Sequence, residues 1–202
     1  MIVLGIDPGL SRCGYAAIES NGPTRATAQA IGVITTPPSD PLPSRLAELR
    51  SELARLMADI EPDVVVVEHV FFQVNVRTAM SVGQASGLAL AEAASRHCVV
   101  VQYTPNQVKE AITGWGGADK AQVQKMVQAR LGLATVPKPA DAADACALAL
   151  CYLAVAPMAA RVAAARAASV TPRLGVQIGC STTGDNARTN GTGGTDRRGS
   201  AT

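Results

Sequence analysis

Two carboxylates in the sequence directly follow runs that are typical of buried strands. Asp7 comes after the apolar and small residues 2–6 and before a Pro-Gly turn, and Glu68 comes after four valines at 64–67. A carboxylate at the end of a buried strand is costly unless a cation or hydrogen bonds compensate it. Taken alone, Asp7 is better explained by ordinary Asp-Pro-Gly turn chemistry. If the two strands are parallel neighbours, however, both acids meet at one edge of the sheet, where α/β folds bind ligands.

Two further carboxylates, Asp141 and Asp144, lie three residues apart in an apolar, Ala-rich segment. This spacing places both on one face of a helix, about one turn apart. Singly, Asp141 is explained as a first-turn acid favoured by the helix dipole, and Asp144 as a surface acid paired with a lysine. Together with Asp7 and Glu68 they make four acids in apolar contexts. Hard divalent cations usually compensate such a set, so the sequence predicts a metal site.

The predicted metal site indicates a class of chemistry. Magnesium suits carboxylate and water ligands and leaves positions open for phosphate oxygens. Two such ions about 4 Å apart can activate a water molecule and stabilise the leaving oxygen in phosphodiester hydrolysis. We therefore expect Mg²⁺ as the cofactor, held by the four carboxylates.

The composition excludes several classes of protein. At 202 residues, with 48% hydrophobic but 3% aromatic residues, the chain can build one core of aliphatic side chains and alanine. The longest uncharged apolar run, 145–160, is shorter than the ~20 residues of a membrane span and contains Pro157. No basic segment typical of a signal peptide opens the sequence, so we expect a cytoplasmic protein. Five cysteines, an odd number without Cys-x-x-Cys spacing, favour buried free thiols over disulfides or a zinc site.

Charge is divided unevenly along the chain. Residues 1–156 hold 12 Lys or Arg against 14 Asp or Glu, whereas residues 157–202 hold 6 against 2. The first part is therefore not broadly basic, and nucleic acid binding would need a local basic patch. We expect residues 1–156 to form one domain, and residues 157–202 to comprise the end of a helix and a basic, disordered tail.

The elements around the four acids predict a fold class. In addition to the two strands that precede Asp7 and Glu68, strands are predicted at 13–19, 26–35 and 99–103. Helices are predicted at about 46–60, 76–96, 105–112, 120–131 and 140–156, and the third and fourth begin with capping-box spacing, from Thr104 to Gln107 and from Asp119 to Gln122. Three early strands joined by tight turns, followed by alternating helix and strand, indicate an α/β fold with a mixed sheet and helices on both faces.

Six stretches of the sequence stand in an order and spacing that together resemble one family. They are Gly5-Ile6-Asp7-Pro8-Gly9-Leu10, Val67-Glu68-His69-Val70-Phe71, Gly83-Gln84-Ala85-Ser86-Gly87, Gln107-Val108-Lys109, Asp119-Lys120-Ala121-Gln122-Val123-Gln124-Lys125-Met126-Val127 and Ala140-Asp141-Ala142-Ala143-Asp144-Ala145. The chain resembles the RuvC crossover-junction endodeoxyribonucleases over about residues 1–153. The resemblance implies an RNase H-like nuclease fold. It also implies a homodimer that resolves Holliday junctions by paired, symmetric nicks with 5′-phosphate ends, in recombination and repair.

The resemblance also implies a cofactor, a partner and site residues. The cofactor would be Mg²⁺, with two ions per subunit and Mn²⁺ as a substitute, and the partner would be the RuvA-RuvB branch-migration complex. Asp7, Glu68, Asp141 and Asp144 match the metal-binding and catalytic positions. Some relatives have His in place of Asp141.

The two phenylalanines of the chain follow Glu68. An aromatic side chain beside the metals could stack on a base that is unpaired at the crossover. Phe71 matches the stacking position of the family, whereas Phe72 is the better candidate for core packing. His69 should point to the opposite face of its strand from Glu68, so we assign it no chemistry.

Four further residues are candidates for DNA contacts. Lys109 and Lys120 match basic positions of the family, and each lies near a predicted helix N-terminus, where the helix dipole does not favour lysine. Asn75 and Arg77, in the segment after Glu68, are weaker candidates. The sequence thus predicts a DNA-contact set of Phe71 and these four residues.

The helix predicted at 76–96 is rich in small residues, particularly over 83–91. Small side chains allow a second backbone to approach closely, either the sheet or another subunit. A C₂ dimer presents two identical sites to the two equivalent strands of a junction. This helix is therefore our candidate for the dimer interface.

Three other functions stay open on the residues alone. An actin-like phosphotransferase also places an Asp-x-Gly turn between two early strands, but it needs two such domains. A DNA-architectural protein would recognise branched DNA without cutting it, although concentrated negative charge beside phosphates opposes this. A related RNase H-like nuclease would act on RNA or on another DNA structure.

Overall fold

The computed structural model describes residues 1–22, 25–69 and 76–169, with the backbone alone for 76–78 and 157–169. In the described part of the chain, helices pack on one five-stranded sheet. The strands are β1 (Ile2–Asp7), β2 (Arg12–Ser20), β3 (Ala26–Thr35), β4 (Val64–Glu68) and β5 (Val99–Tyr103). The helices are α1 (Leu42–Ile60), α2 (Val76–Ser95), α3 (Pro105–Thr113), α4 (Lys120–Leu131) and α5 (Ala140–Ser169).

The strand order of the sheet is β3-β2-β1-β4-β5. The first three strands of the chain pair antiparallel, whereas β4 pairs parallel with both β1 and β5. In the β1–β4 ladder Ile6 lies opposite Val67, so Asp7 and Glu68 are the next residues of adjacent strands. The condition under which the two acids meet, parallel pairing of these two strands, is therefore fulfilled.

Helices cover both faces of the sheet. Contacts with β1 and β2 hold α5 on one face, with α3 and α4 beside it, and α1 and α2 pack together on the other. The four valines of β4 divide between the two layers: Val64 and Val66 belong to the first core, and Val65 and Val67 to the second. A strand covered on both faces accommodates an uninterrupted valine run. The predicted mixed α/β sheet with helices on both faces is confirmed.

Two glycines allow α5 to lie directly on the sheet. A Cβ atom at Gly5 of β1 would collide with the backbone carbonyl oxygen of Ala145, and one at Gly14 of β2 with that of Asp141. The backbone of a helix cannot change conformation locally to avoid such a collision, as a flexible side chain can. A larger residue at either position would therefore displace α5. The start of α5, which carries two of the four acids, is thereby placed against β1 and β2.

Helix α5 is longer than the sequence predicts. We expected its end at about residue 156, but it continues to Ser169 and includes Pro157. Alanine has the highest helix propensity, and the alanine-rich sequence on both sides of the proline favours the helix despite the missing N–H. Most of the predicted tail, residues 170–202, lies outside the described residues.

The described cysteines and helices agree with the composition. Cys13, Cys146 and Cys151 are buried free thiols, and Cys98 is a free thiol of intermediate burial. Cys180 lies outside the described residues. In the part of the chain that the structure covers, no helix is long and apolar enough to cross a membrane.

Candidate active site

The carboxyl ends of β1 and β4 place Asp7 and Glu68 side by side at one edge of the sheet. The pKa of Asp7 is raised to about 7, chiefly because its carboxyl group is buried. The carboxylates of Glu68, Asp144 and Asp141 add to this rise, and Lys120 opposes it. Burial also raises the pKa of Glu68, with Asp144 as the next cause. The four predicted acids therefore form one electrostatic group, which we call the acid cluster (Asp7, Glu68, Asp141 and Asp144).

Asp141 lies in the first turn of α5 and pairs with Arg12, the first residue of β2. Nε and a terminal nitrogen of Arg12 lie 2.9 and 2.6 Å from Oδ2 of Asp141. The two side chains are 51% and 31% exposed, so water screens the ion pair. Because both contacts fall on Oδ2, they leave Oδ1 of this carboxylate outside the ion pair.

Sequence reasoning missed Arg12. The register of β1 and β2 pairs Asp7 with Gly14, and Arg12 precedes this glycine by two residues, beyond the end of β1. Its side chain then reaches α5, because Gly14 holds the backbone of Asp141 close to β2. The available signal was a cation on the strand that returns from Asp7, but its target depends on the position of α5.

Asp144 pairs with Lys120, whose Nζ lies 2.6 Å from Oδ2 of the carboxylate. The hydrogen bond to Asp144 raises the pKa of Lys120, so the ammonium stays charged. This pairing matches the simple explanation of Asp144 taken alone, a surface acid beside a lysine. The same ammonium, however, also lowers the pKa of Asp7 and of Glu68, so it belongs to the whole acid cluster.

A predicted capping box positions Lys120 at the start of α4. The Asp119 carboxylate accepts from the Gln122 backbone N–H at 2.8 Å, and the Gln122 side chain accepts from the Asp119 N–H at 2.9 Å. This reciprocal cap satisfies two N–H groups at the helix end and fixes the backbone from which Lys120 extends. A second predicted capping box, between Thr104 and Gln107, begins α3 in the same way.

The acid cluster is paired in part with these two cations. Among the described residues, no three His, Cys, Asp or Glu side chains are arranged as a ready-made metal cage. Asp141 and Asp144 are instead drawn to Arg12 and Lys120. The donor set nevertheless fits a hard divalent cation, because it consists of carboxylate oxygens. The raised pKa of Asp7 agrees with this fit, since burial and the three other acids disfavour its ionised form and Lys120 offsets them only in part.

A hydrogen-bond network holds the loop that follows Asp7. The Thr36 hydroxyl, which is 2% exposed, donates to the Leu10 carbonyl at 2.6 Å. Arg45 of α1 donates to the Thr36 hydroxyl at 3.0 Å and to the Ser11 hydroxyl at 2.5 Å. The network joins α1 to the β1–β2 loop and so restrains the strand end that carries Asp7.

The structure describes part of the predicted DNA-contact set. The predicted positions outside the described residues are Phe71, Phe72 and Asn75. For Arg77 the structure gives a place in α2 but no side chain. Lys120 lies in contact with the acid cluster, whereas Lys109 lies on α3 and is not among the groups that shift the pKa of Asp7 or Glu68. The two predicted lysines are therefore in different settings.

Comparison with known proteins decides the family. The family model described as "Crossover junction endodeoxyribonuclease RuvC" matches residues 3–152. The chain belongs to the RuvC family. A RuvC from Rhodococcus jostii is 50% identical over 170 residues, which cover 84% of this chain and 89% of the relative. A RuvC from Mycobacterium ulcerans is 48% identical over 167 residues, which cover 83% and 91%. The resemblance inferred from the six motifs is confirmed.

Solved structures agree with this assignment. Thermus thermophilus RuvC matches with a TM-score of 0.73 and 35% identity, covering 79% of this chain and 97% of the relative. The same protein in complex with a Holliday junction substrate matches with a TM-score of 0.75 and 34% identity, covering 79% and 96%. The yeast mitochondrial Holliday junction resolvase Ydc2, at 14% identity and a TM-score of 0.61, shares the fold. The predicted RNase H-like fold class is confirmed.

Proposed function

We propose that the chain is an endonuclease that resolves Holliday junctions. It makes paired, symmetric nicks by phosphodiester hydrolysis and leaves 5′-phosphate ends, in recombination and DNA repair. Membership in the RuvC family supports the activity, and the Holliday junction complex of the Thermus relative supports the substrate. The observation that carries the proposal is the meeting of Asp7 with the three other acids, which act together on its pKa.

Magnesium is the proposed cofactor, with two ions per subunit and Mn²⁺ as a substitute. The acid cluster would hold the ions, and its all-carboxylate donor set supports this choice. When bound, such ions supply an activated water and a stabilised leaving oxygen for phosphodiester hydrolysis. Because four acids repel one another and two of them end buried strands, the fold stores an electrostatic cost that a divalent cation relieves.

The neighbouring cations orient the acids and receive the substrate. Arg12 and Lys120 each contact Oδ2 of an aspartate, which leaves Oδ1 outside both ion pairs. Lys120 is also 59% exposed in its side chain, so a backbone phosphate that approaches the acid cluster can reach its ammonium. We propose that Lys120 exchanges part of its contact with Asp144 for a phosphate oxygen when DNA binds.

The remaining DNA contacts are assigned on the family resemblance. We propose that Phe71 stacks on a base that is unpaired at the crossover. Lys109 would contact phosphates together with Lys120, and Asn75 and Arg77 would contact the strand beside the acid cluster. These five residues lie between Glu68 and Asp141 in the sequence and would keep the scissile phosphate in place.

We propose that the working form is a homodimer. Two-fold symmetry would place two acid clusters on the two equivalent strands of a junction. In α2, Ala85, Ala89 and Ala93 are buried in the subunit's own core, whereas a Cβ atom at Gly83 or Gly87 would meet open space. The small residues of α2 thus serve two purposes, and the Gly83–Gly87 side is the part available to a second subunit.

Three further assignments belong to the same proposal. Residues 1–156 form the nuclease domain, which the family match over residues 3–152 supports, and residues 157–202 add the helix end and a basic tail. The enzyme acts in the cytoplasm, where bacterial chromosomal DNA lies. It cooperates with the RuvA-RuvB branch-migration complex, which would supply the junction.

The proposal is tested by cutting assays on matched substrates. A four-way junction, a plain duplex and an RNA–DNA hybrid are incubated with the protein, with and without Mg²⁺. We expect symmetric nicks in the junction only when Mg²⁺ is present. The Asp7→Asn variant should lose cutting while it still binds the junction. Cutting by Asp7→Asn at the rate of the unmodified protein would remove Asp7 from the mechanism. Preference for the hybrid would identify another nuclease, and binding without cutting by the unmodified protein would indicate an architectural protein.

A further inference from the structure

The loop between α3 and α4 presents one large aromatic side chain to solvent. Trp115 is the single tryptophan of the chain, and it is 64% exposed. An exposed indole leaves a large apolar surface in water, and tryptophan is enriched where proteins contact their partners. Neither the core nor the proposed catalytic machinery uses this side chain. Its exposure therefore calls for a separate explanation.

The structure fixes the backbone that carries this indole. The Trp115 backbone N–H donates to the Thr113 hydroxyl at 3.2 Å, and the Trp115 carbonyl accepts from the Ala118 N–H at 3.1 Å. The ring lies against Gly117, where an added Cβ atom would come within 2.6 Å of it. Glycine at position 117 thus provides the space for the ring. The ring thus contacts the loop at Gly117, and the rest of its surface is exposed to solvent.

The loop leads directly into the acid cluster. Ala118 is 2% exposed and packs in the core that α5 shares, which anchors the loop to the helix that carries Asp141 and Asp144. Lys120 follows two residues later and contacts Asp144 at 2.6 Å. Lys120 lies five positions after Trp115, so their Cα atoms lie at most about 18 Å apart. A DNA strand bound at Lys120 is therefore close enough to contact Trp115 as well.

The position of the Trp115 loop beside the proposed DNA-cutting site favours a nucleic acid over a protein partner. In sequence the loop is flanked by Lys109, which is next to the exposed Glu110 on α3, and by Lys120, which begins α4 and contacts Asp144, while the carboxylate of Asp119 is engaged in the capping box of α4. Aromatic side chains between cations are typical of surfaces that bind nucleic acid strands, where bases stack and phosphates meet the charges.

We propose that Trp115 packs its indole against the sugar and base of a DNA strand close to the nicked position. The inference rests on the proposed function, because it requires DNA to lie across the acid cluster. Every base has a π-face, so stacking of this kind adds affinity without reading the sequence. Trp115 would thus hold the strand on the α3–α4 side of the acids, independently of the stacking assigned to Phe71.

Intrinsic fluorescence tests the contact directly, because the single tryptophan is the source of the indole emission. The full-length protein is titrated with a four-way junction in EDTA, which prevents cutting, and binding is followed in parallel by anisotropy of a labelled junction. We expect saturable quenching of the emission with the same midpoint as the anisotropy, and reduced access of acrylamide to the indole. Saturated binding with unchanged emission and unchanged acrylamide access would refute the contact.

Variants test whether the contact contributes affinity. Trp115→Ala should weaken junction binding about tenfold, the effect of losing one stacked base, and Trp115→Phe should retain most of the affinity. Val99→Ala is the matched control, because Val99 is 55% exposed and begins β5, at the end of the sheet opposite Asp7 and Glu68. Binding by Trp115→Ala within twofold of the unmodified protein would overturn the proposal.

The two proposals fail in different ways. If the unmodified protein neither binds nor cuts the junction, the proposed function is wrong and the Trp115 contact falls with it. A different outcome is that the junction is bound and cut while Trp115 emission does not change and Trp115→Ala keeps its affinity for the junction. In that case the proposed function stands and the Trp115 contact is wrong. Circular dichroism melts that coincide for Trp115→Ala and the unmodified protein would exclude misfolding as the cause of weaker binding.

Discussion

The strand-end acids and the helix acids of the acid cluster reach the same edge of the sheet under different electrostatic conditions. Asp7 and Glu68 end adjacent strands, and burial is the largest cause of their raised pKa values. Asp141 and Asp144 lie near the start of α5, have side chains that are 31% exposed, and each has a cation at 2.6 Å. Ionisation is therefore least favourable for Asp7 and Glu68, whereas the charges of Asp141 and Asp144 are compensated by ion pairs with Arg12 and Lys120.

This difference follows from the elements that carry the acids. Asp7 and Glu68 end strands whose preceding residues are buried beneath helices on both faces of the sheet, and desolvation is the largest cause of their raised pKa values. The start of α5 is open enough for side chains from β2 and α4 to reach it. In the strand-end half of the site desolvation raises the pKa values of the acids, and in the helix half the acids are held by ion pairs that substrate or metal can replace.

The largest expected effect is the loss of a carboxylate from either half. Glu68→Gln and Asp144→Asn should each slow junction cutting by on the order of 1,000-fold, because each removes charge that would hold the proposed cation. Single-turnover cutting rates at saturating Mg²⁺ measure the effect. The control is Glu48→Gln, an exposed carboxylate on α1, which should cut normally. If one half tolerates the loss within tenfold, the two halves do not act as one site.

The next largest effect concerns Lys120, and it distinguishes a role in binding the phosphate from a role in supporting the acid cluster. Lys120→Ala should slow cutting about 100-fold, as expected for the loss of one charged donor to the reacting phosphate. The affinity of the Lys120→Ala variant for Mn²⁺, measured by calorimetry, should not fall, because no ammonium competes with the ion for Asp144. A matching loss of Mn²⁺ affinity would show that Lys120 supports the acids rather than the phosphate.

Stability measurements test the cost assigned to the strand-end acids. The pKa of Asp7 is about 7 in the folded protein, against an ordinary value of 3.8, so between these values the folded state binds the extra proton and stability falls as pH rises. Asp7→Asn should therefore raise the free energy of unfolding in EDTA by on the order of 2 kcal/mol at pH 8, with little effect at pH 4. Urea unfolding at both pH values measures this.

A control keeps that stability experiment specific to burial. Asp59→Asn changes an exposed carboxylate on α1 and should leave the free energy of unfolding nearly unchanged at both pH values. Destabilisation by Asp7→Asn at pH 8 would mean that the ionised Asp7 is well compensated in the metal-free protein. The contrast between strand-end and helix acids would then disappear.

The smallest expected effect concerns the ion pair that sequence reasoning missed. Arg12→Gln should slow cutting about tenfold, because Asp141 loses both contacts that orient its carboxylate. Arg12→Lys keeps the charge but not the two-nitrogen contact, so its rate should lie between those of Arg12→Gln and the unmodified protein. The comparison variant is Arg50→Gln, an exposed arginine of α1. Equal rates for all of these proteins would leave Arg12 without a role in positioning.

Local patterns were sufficient to predict the elements and their caps. The valine run of β4, the period of apolar residues in α1 and the two capping boxes of α3 and α4 all depend on residues close in sequence. The end of α5 was not predicted, because Pro157 gives the same signal whether a helix stops or continues through it. Arg12 was missed for another reason: its partner lies 129 residues away.

What the sequence determined by itself was therefore chemical identity and order: which residues are acids, which runs are strands, and which family the motifs resemble. The tertiary structure decided which of these residues lie close together and how burial and neighbouring charges shift their pKa values. The parallel pairing of β1 with β4, and the close approach of α5 at Gly14, turn acids scattered over the chain into one group that raises the pKa of Asp7. The physical reason is that local propensity acts over a few residues, whereas burial and Coulomb interactions depend on distance in space.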